Sequence, residues 1–305
     1  MARKFFAKGT GGNLDRWIAG GIVVALVLIG LILWGPLRGF LRPTTVEKTE
    51  QPKKAEKKTE KKAEKKTGKK EKKKQKDNAV GEREEKALVA IVIDDLGQDE
   101  KQAREILSLP GRVTLAIMPG LGQSRKIAEL AKQDNHEVLI HLPMEYRGKN
   151  GTPASGMLRS NMTPMEFLAI VSEDVASVPG AVGINNHEGS SLTENKEAMK
   201  FLMAELKARN LMFLDSLTSA KSVAYATAKE FGLKAAKRDV FLDNEGDNPA
   251  YIRGQLDELA DIAREHGKAI GIGHPHPATI SELRKWLAEA DGQGIEIVPV
   301  SKLMQ

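Results

Sequence analysis

The chain has 305 residues, carries a formal net charge of +6 and contains no cysteine. It therefore has neither a disulfide framework nor a thiol nucleophile, which fits a cytosolic protein or a periplasmic one that folds without oxidation. Residues 1–46 carry a charge of +5, residues 47–77 carry +8 and residues 78–305 carry −7, so the basic balance belongs to an N-terminal arm and the acidic body argues against a nucleic-acid-binding groove.

After an N-terminal segment (1–16), residues 17–34 form an uncharged apolar stretch with a tryptophan at each end. As a helix this stretch would be about 27 Å long, enough to cross a hydrocarbon core, and the tryptophans match an interfacial aromatic belt. A cleaved signal peptide is the alternative, but no small-x-small cleavage site follows the run. We predict an uncleaved anchor in the inner membrane with the body on the periplasmic side. A cytoplasmic-facing body stays open as the other topology, because basic residues flank the span on both sides.

Residues 35–86 form a linker rich in lysine and glutamate, with the repeat AEKKTEKKAEKKTGKK at 55–70. Almost without apolar residues, this segment cannot bury a core and is predicted to be an extended or partly helical tether. Attraction to anionic lipid heads or to an anionic cell-wall polymer is the functional alternative. A solvated spacer is favoured, because runs of charge are usually just solvated.

From residue 87 to residue 305, short apolar runs alternate with amphipathic segments, which predicts one α/β domain. The predicted strands are 88–93, 112–117, 137–141, 181–185, 211–214, 234–241, 269–273 and 295–299. Seven or eight strand–helix units of this kind predict a closed or nearly closed (β/α) barrel of parallel strands. An open doubly wound sheet is the alternative, but no glycine-rich phosphate fingerprint follows the first strand.

Side chains capable of chemistry stand where the predicted strands end. They are Asp94, Asp95, His141, Asn185, Asn186, His187, Asp215, Ser216, Arg238, Asp239, Asp243 and His274. Such ends converge on one face of a parallel barrel, where catalytic loops lie. A single histidine after a strand is more often a capping or core residue. The coincidence at the ends of several strands, however, predicts an active site.

The adjacent Asp94 and Asp95 end a strand that is predicted to be buried on both faces, where two like charges are costly. Carboxylates and histidines without cysteine suit a divalent metal such as zinc, bound by one carboxylate and two imidazoles with a position left open for water. A metal would neutralise one aspartate and leave the other as a general base. Neighbours on a strand point to opposite sides, which would give the two aspartates different roles.

The motifs VAIVIDDLG, HEVLIHLPME, GINNHEGSSLT, FLDS and IGIGHP together resemble the divergent polysaccharide deacetylase family. This family is a remote branch of the carbohydrate esterases with a deformed (β/α) barrel. The resemblance covers about residues 87–303, with the motifs in the family's order. It implies a metal-dependent amide hydrolase that removes N-acetyl groups from an envelope glycan such as peptidoglycan.

The resemblance also implies roles for individual residues. Asp94 matches the position of the catalytic base, and Asp95 and His141 match metal ligands. His274 matches the late strand-end histidine that acts as general acid or as partner to the base.

The sequence departs from the family pattern at Glu145, which stands where the second histidine of the metal pair is expected. His187 could replace that ligand. A catalytically inactive envelope factor that binds glycan or a cell-wall protein is therefore the alternative function. Supporting roles are assigned to Asn186 and Ser190 at the oxyanion, Arg238 and Asp239 as orienting groups or a simple ion pair, Asp215 at a strand end, and Tyr146 as a sugar platform.

Overall fold

The computed structural model describes residues 86–148 and 156–305. The predicted N-terminal segment, anchor and linker lie outside the described residues, apart from Lys86. Within the part of the chain that is described, no helix combines the length and the apolar character needed to cross a bilayer.

In the described residues, nine strands form one sheet with parallel pairing throughout. They are β1 (Ala87–Leu96), β2 (Thr114–Ile117), β3 (Val138–Met144), β4 (Gly183–Glu188), β5 (Met212–Asp215), β6 (Ala235–Lys237), β7 (Val240–Phe241), β8 (Lys268–Gly273) and β9 (Ile295–Ile297). Every predicted strand corresponds to one of these, except that the predicted strand 234–241 is divided into β6 and β7.

Seven α-helices connect the strands in the described part of the chain. They are α1 (Glu100–Leu107), α2 (Ser124–Gln133), α3 (Pro164–Ser177), α4 (Lys196–Ala208), α5 (Ala224–Glu230), α6 (Pro249–His266) and α7 (Pro277–Ala290). Thr163 caps α3 through a capping box with Glu166, and Asn248 caps α6. Gly267 ends α6 with φ 81°, a left-handed conformation that glycine adopts without strain.

The strand order β6-β5-β4-β3-β2-β1-β8-β7 begins and ends with strands that are neighbours in the chain. Only Arg238 and Asp239 separate β6 from β7. The Arg238 N–H donates to Asp215 O in β5 at 3.0 Å, and the Asp239 N–H donates to Ile270 O in β8 at 2.9 Å. The segment thus passes from pairing with β5 to pairing with β8. This crossing curls the sheet into a deformed barrel and not into the open doubly wound alternative.

Successive residues of β1 face two different cores, as expected for a strand that is buried on both sides. Val89, Ile91 and Ile93 pack between the sheet and the helices, while Ala90 and Val92 face the barrel interior. The interior set is completed by Ala116, Leu139, Leu214, Ile270, Ile272, Val298, Val300, Leu303 and Met304. An apolar layer of strand residues and C-terminal residues therefore fills the barrel below the carboxyl ends of its strands.

Asp174 of α3 should make the stability of the protein depend on pH. The side chain is buried, and among the described residues its Oδ2 has no hydrogen-bond partner. Burial, with a smaller contribution from the charge of Glu173, raises the pKa of Asp174 to about 7. In the unfolded chain the carboxyl group has a pKa of about 4. Between about pH 4 and pH 7 the folded state therefore binds this proton more tightly than the unfolded state does. The free energy of unfolding should therefore fall as the pH rises from about 4 through 7.

We expect Asp174→Asn to raise the free energy of unfolding by about 1–3 kcal/mol at pH 8 and to change it little at pH 4. Urea denaturation at the two pH values measures the difference. Glu173→Gln, an exposed neighbour on the same helix, is the control and should have a smaller effect at both pH values. A loss of stability in Asp174→Asn at pH 8 would show that the charged carboxylate has a partner in the folded state.

Candidate functional site

On four strands, the last apolar residue of the barrel interior is followed two positions later by a polar residue of the site. The pairs, each two residues apart, are Val92 and Asp94, Leu139 and His141, Leu214 and Ser216, and Ile272 and His274. Because side chains two residues apart on a strand share a face, the polar layer lies directly above the apolar interior. The predicted convergence of these strand ends on one face follows from this alternation.

Asp95 reaches the same site through an irregularity in β1. The pairing of β1 with β2 shifts its register between Ile93 and Leu96, and Asp95 has φ 59°. This left-handed conformation is uncommon for residues other than glycine and occurs at bulges and functional sites. The prediction that Asp94 and Asp95 point to opposite sides is wrong for this reason. Asp95 Oδ1 and Asp94 Oδ2 lie 3.2 Å and 3.6 Å from the same atom, His141 Nε2.

Asp95, His141 and His187 form a compact group of three possible metal ligands, called the ligand triad below. Asp95 Oδ1 lies 3.2 Å from His141 Nε2 and 3.0 Å from His187 Nδ1, and the two nitrogens are 3.1 Å apart. Tetrahedral zinc with bonds of about 2.0–2.2 Å would hold its ligand atoms about 3.3–3.6 Å apart, slightly farther than in the triad. One carboxylate and two imidazoles at these spacings fit a zinc site of the hydrolytic type.

Asn185 connects the ligand triad to Asp94. It stands opposite His141 in the pairing of β3 with β4 and is completely buried. His141 Nδ1–H donates to Asn185 Oδ1 at 3.0 Å, and Asn185 Nδ2 donates to Asp94 Oδ1 at 2.8 Å. With its proton on Nδ1, His141 directs the lone pair of Nε2 at the other two members of the triad. Metal ligation through Nε2 requires this tautomer.

Asn185→Ala should weaken zinc binding about 10- to 100-fold, the usual cost of removing an outer-shell partner of a ligand. Without the amide, His141 loses its orienting acceptor and Asp94 loses a donor. Competition with a chromophoric chelator measures the affinity. Asn161→Ala, at an exposed position before α3, is the matched control and should bind zinc like the wild type. Equal affinities in the two variants would contradict the orienting role of Asn185.

The two adjacent aspartates differ in their electrostatic surroundings. Burial raises the pKa of Asp94, and the charges of His141 and His274 with the hydrogen bond from Asn185 oppose this only in part. Burial also raises the pKa of Asp95, but its hydrogen bonds and charge interactions with the triad imidazoles outweigh burial and hold that pKa well below its usual range. Asp95 is thus the permanently charged carboxylate, and Asp94 is the more basic one.

His274 is held at the other side of Asp95 by a buried carboxylate. The ring Nδ1–H donates to Asp243 Oδ1 at 3.0 Å. Asp243 Oδ2 accepts from the backbone N–H of His274 at 2.6 Å and from the Thr279 hydroxyl at 2.9 Å. Burial lowers the pKa of His274, but the hydrogen bond and charge of Asp243 outweigh it and raise that pKa to about 9. The imidazole therefore carries its second proton at neutral pH. Its Nε2 lies 3.8 Å from Asp95 Oδ2.

A cavity of about 620 Å³ adjoins these groups. One part of it is lined by Asp94, His141, His187 and His274. Another part is lined by Tyr251, Gln255 and Glu258, which recur at i, i+4 and i+7 along one face of α6. The cavity therefore joins the charged centre to a polar helix face that can contact a larger substrate.

Two residues with predicted roles support loops beside the site. Glu145, at the position of the missing histidine, accepts hydrogen bonds from the backbone N–H and hydroxyl of Ser160 at 2.9 and 2.6 Å. Ser190 Oγ accepts from the Arg147 N–H at 3.0 Å. The described residues that line the cavity include none of Glu145, Ser190 and Tyr146. The described lining instead includes the aromatic side chains of Phe241 and Tyr251, for which the sequence predicted no role.

Two further predicted residues are occupied by hydrogen bonds to neighbouring segments. Asn186 accepts from the Ser216 N–H at 2.8 Å and donates to Glu188 O at 2.7 Å. Asp215 accepts from the Ser222 hydroxyl at 2.7 Å. Both therefore fix the loops after β4 and β5 around the centre.

Arg238 and Asp239 both line the cavity, and each is bound to backbone and not to the other. Arg238 Nε donates to Ser216 O at 2.8 Å, and Asp239 Oδ2 accepts from the Ile270 N–H at 2.8 Å. Two alternatives were predicted for these side chains, orienting groups or a simple ion pair. In the described structure they do not form an ion pair with each other.

Fold and site together define a parallel (β/α) barrel protein with a carboxylate–imidazole centre at the carboxyl ends of its strands. The chain belongs to the divergent polysaccharide deacetylase family, whose sequence model matches residues 91–304. The resemblance seen in the five sequence motifs is thereby confirmed.

Relatives with known sequence or structure match a large part of the chain. The YibQ protein of Escherichia coli K12 is 42% identical over 197 residues, which are 65% of this chain and 61% of YibQ, less than two thirds of that relative. An uncharacterized protein of Haemophilus influenzae is 35% identical over 221 residues, 70% of this chain and 76% of its own. The crystal structure of an uncharacterized protein from Agrobacterium tumefaciens C58 has 31% identity and a TM-score of 0.68, covering 72% of this chain and 89% of that one.

Proposed function

We propose that the protein is a metal-dependent hydrolase that removes N-acetyl groups from a glycan of the cell envelope. Membership of the divergent polysaccharide deacetylase family supports a hydrolase of this class. The observation that carries the proposal is that Asp94, the candidate base, and His274, the candidate acid, both lie next to the ligand triad. Asp94 Oδ2 lies 3.6 Å from His141 Nε2, and His274 Nε2 lies 3.8 Å from Asp95 Oδ2.

Asp95, His141 and His187 would hold the metal, and zinc suits their donor set best. A bound zinc ion would polarise the acetyl carbonyl and make water more acidic. Asn185 keeps His141 in the tautomer that can ligate, and the low pKa of Asp95 keeps that carboxylate charged. Burial lowers the pKa of His141, but the charge of Asp94 and the hydrogen bond of Asp95 outweigh it and raise that pKa, so a metal would bind by displacing a proton from this imidazole.

Asp94 acts as the general base. Its Oδ1 is fixed by Asn185 while Oδ2 faces the triad, so Oδ2 can take a proton from the water that attacks the acetyl carbon. His274 acts as the general acid and gives the proton on Nε2 to the amine nitrogen as the carbon–nitrogen bond breaks. Asp243 holds the charged imidazole in place through Nδ1–H. The products are acetate and a free amine on the sugar.

Acetate release tests this reaction directly. The full chain, purified in detergent and loaded with zinc, is incubated with peptidoglycan fragments and with chitin oligomers, and acetate is measured against time. We expect release from at least one of the two classes and none after treatment with a chelator. Binding of both glycans without acetate release would favour the inactive envelope factor over the enzyme.

We also propose that residues 17–34 anchor the protein in the inner membrane with the barrel on the periplasmic side. The uncharged length of this segment and its flanking tryptophans support the anchor. Alkaline phosphatase fused to the C-terminus should be active in cells, since that reporter needs the periplasm. Fluorescence from a green fluorescent protein fusion at the same position, with an inactive phosphatase fusion, would contradict the orientation.

A further inference from the structure

Arg238 presents a fixed guanidinium to the cavity that contains Asp94 and His274. Its Nε donates to Ser216 O at 2.8 Å and its Nη2 donates to Leu217 O at 3.1 Å. The guanidinium also lies over the ring of Phe241, with Cζ 5.0 Å from the ring centroid. Two hydrogen bonds and a stacked ring hold the plane of the side chain before any substrate binds.

These contacts leave part of the guanidinium available. An arginine side chain has five N–H donors in a planar fork, and the two carbonyls use two of them. Among the described residues, Asp94, Asp215 and Asp239 act on Arg238 through charge at a distance, and none of the three carboxylates forms a hydrogen bond with it. The three carboxylates compensate its charge in part, but the remaining N–H donors of this half-buried guanidinium bond to no carboxylate, and an anionic ligand would satisfy them.

We propose that Arg238 binds a carboxylate of the substrate, an inference that rests on the proposed function. A planar guanidinium donates two parallel hydrogen bonds to a carboxylate, a geometry that lysine cannot reproduce. Because Arg238 shares the cavity with Asp94 and His274, the carboxylate belongs to the sugar that loses its acetyl group or to an adjacent sugar. The substrate is therefore an acidic N-acetylated glycan, with lactyl ether or uronic acid carboxylates, and not a neutral polymer of N-acetylglucosamine.

The other charged residues of the cavity restrict where that carboxylate can lie. Glu188, Asp239 and Glu258 also line the cavity. These side chains would repel an anion placed near them. The repulsion would disfavour bound positions of the glycan in which its carboxylate lies away from Arg238. Arg238 is the one arginine or lysine among the described residues that line the cavity, and the other cationic side chain, His274, is the proposed acid, so the substrate carboxylate is assigned to Arg238.

Two matched oligosaccharides test this inference on the zinc-loaded full chain. One is a tetrasaccharide that alternates N-acetylglucosamine with N-acetylmuramic acid, and the other is the same compound with its lactyl carboxylates converted to amides. We expect kcat/KM of the wild type to be about 10- to 100-fold higher for the acid, the range for a hydrogen bond to a charged group. An oligosaccharide with uronic acid in place of muramic acid distinguishes the two sources of the carboxylate.

Arg238→Gln should lower kcat/KM for the acidic tetrasaccharide about 10- to 100-fold and for the amide less than about 3-fold, while Arg238→Lys should retain part of the preference. Lys237→Gln, an exposed neighbour, is the control and should keep the wild-type ratio. Equal kcat/KM of the wild type for both acidic oligosaccharides and for the amide would overturn the inference, whether or not Arg238→Gln folds. An equal loss on acid and amide in Arg238→Gln would also overturn it, because Arg238 would then only hold the Ser216–Leu217 turn.

A wild-type protein that hydrolyses none of these compounds would contradict the proposed function and not, by itself, the role of Arg238. Calorimetric binding then decides that role separately. The wild type should bind the acidic tetrasaccharide about 10-fold more tightly than its amide, and Arg238→Gln should bind the two equally. Equal binding by the wild type would overturn the inference.

Discussion

Replacing Asp94 by asparagine should lower kcat for deacetylation about 10²- to 10⁴-fold, the usual contribution of a general base, and leave the metal bound. The amide has nearly the shape of the carboxylate, so Asn185 can still donate to the oxygen of the new side chain. The ligand triad does not include Asp94. The variant should therefore keep its zinc content and its stability while it loses the group that accepts the proton from water.

Rates of acetate release and zinc content, measured on the same preparations, check this expectation. Asp134→Asn, at the exposed C-terminal end of α2, is the matched control for loss of a carboxylate and should behave like the wild type. Full activity of Asp94→Asn would assign the base to another residue. Loss of zinc together with activity would instead make Asp94 a ligand.

His187→Ala should reduce zinc affinity by more than the 10- to 100-fold expected for an outer-shell residue, because it removes one of three ligands. His187 Nδ1 lies 3.0 Å from Asp95 Oδ1 and 3.1 Å from His141 Nε2, so alanine leaves only two donors in the group. Activity should fall with occupancy and recover in part at high zinc concentration. Chelator competition and metal analysis of the dialysed full chain provide the two measurements.

His276→Ala is the control for this variant. His276 is exposed and belongs to a second group of possible ligands, with Asp243 and His274. Wild-type zinc affinity in His276→Ala, with loss in His187→Ala, is the expected pair of results. The reverse pair would move the metal to the second group, where Asp243 is already occupied by hydrogen bonds to His274 and Thr279.

Much of the site could be predicted because strand alternation extends from the core into the polar layer. Val92 and Asp94 occupy successive interior positions of β1, as Ile272 and His274 do at the end of β8. Once the apolar runs are recognised as parallel strands, the same alternation assigns the residues beyond them to the barrel interior. The family motifs then supplied the division of roles.

Two features of the backbone could not be predicted from the same pattern. The irregularity at Asp95 depends on how β1 pairs with β2, a tertiary property that alternation along one strand does not contain. The break at Arg238 and Asp239 depends on a change of partner strand from β5 to β8. Strands of two and three residues on either side of that break are too short for a clear period.

Asn185 and Asp243 were recognised as strand-end residues but were given no role. Each acts through one histidine, Asn185 through His141 and Asp243 through His274. Such outer-shell contacts depend on side-chain directions across different strands, which residue order alone does not specify. The register of β3 with β4, which sets His141 opposite Asn185, is the structural signal that reveals the first pair.

The most direct test of a metal centre is X-ray diffraction from crystals of the protein grown with zinc, recorded on both sides of the zinc absorption edge. We expect one anomalous peak bonded at about 2.0–2.2 Å to Asp95 Oδ1, His141 Nε2 and His187 Nδ1. An absence of anomalous density at that position, or density only beside Asp243, His274 and His276, would contradict the assignment of the ligand triad and the reaction proposed from it.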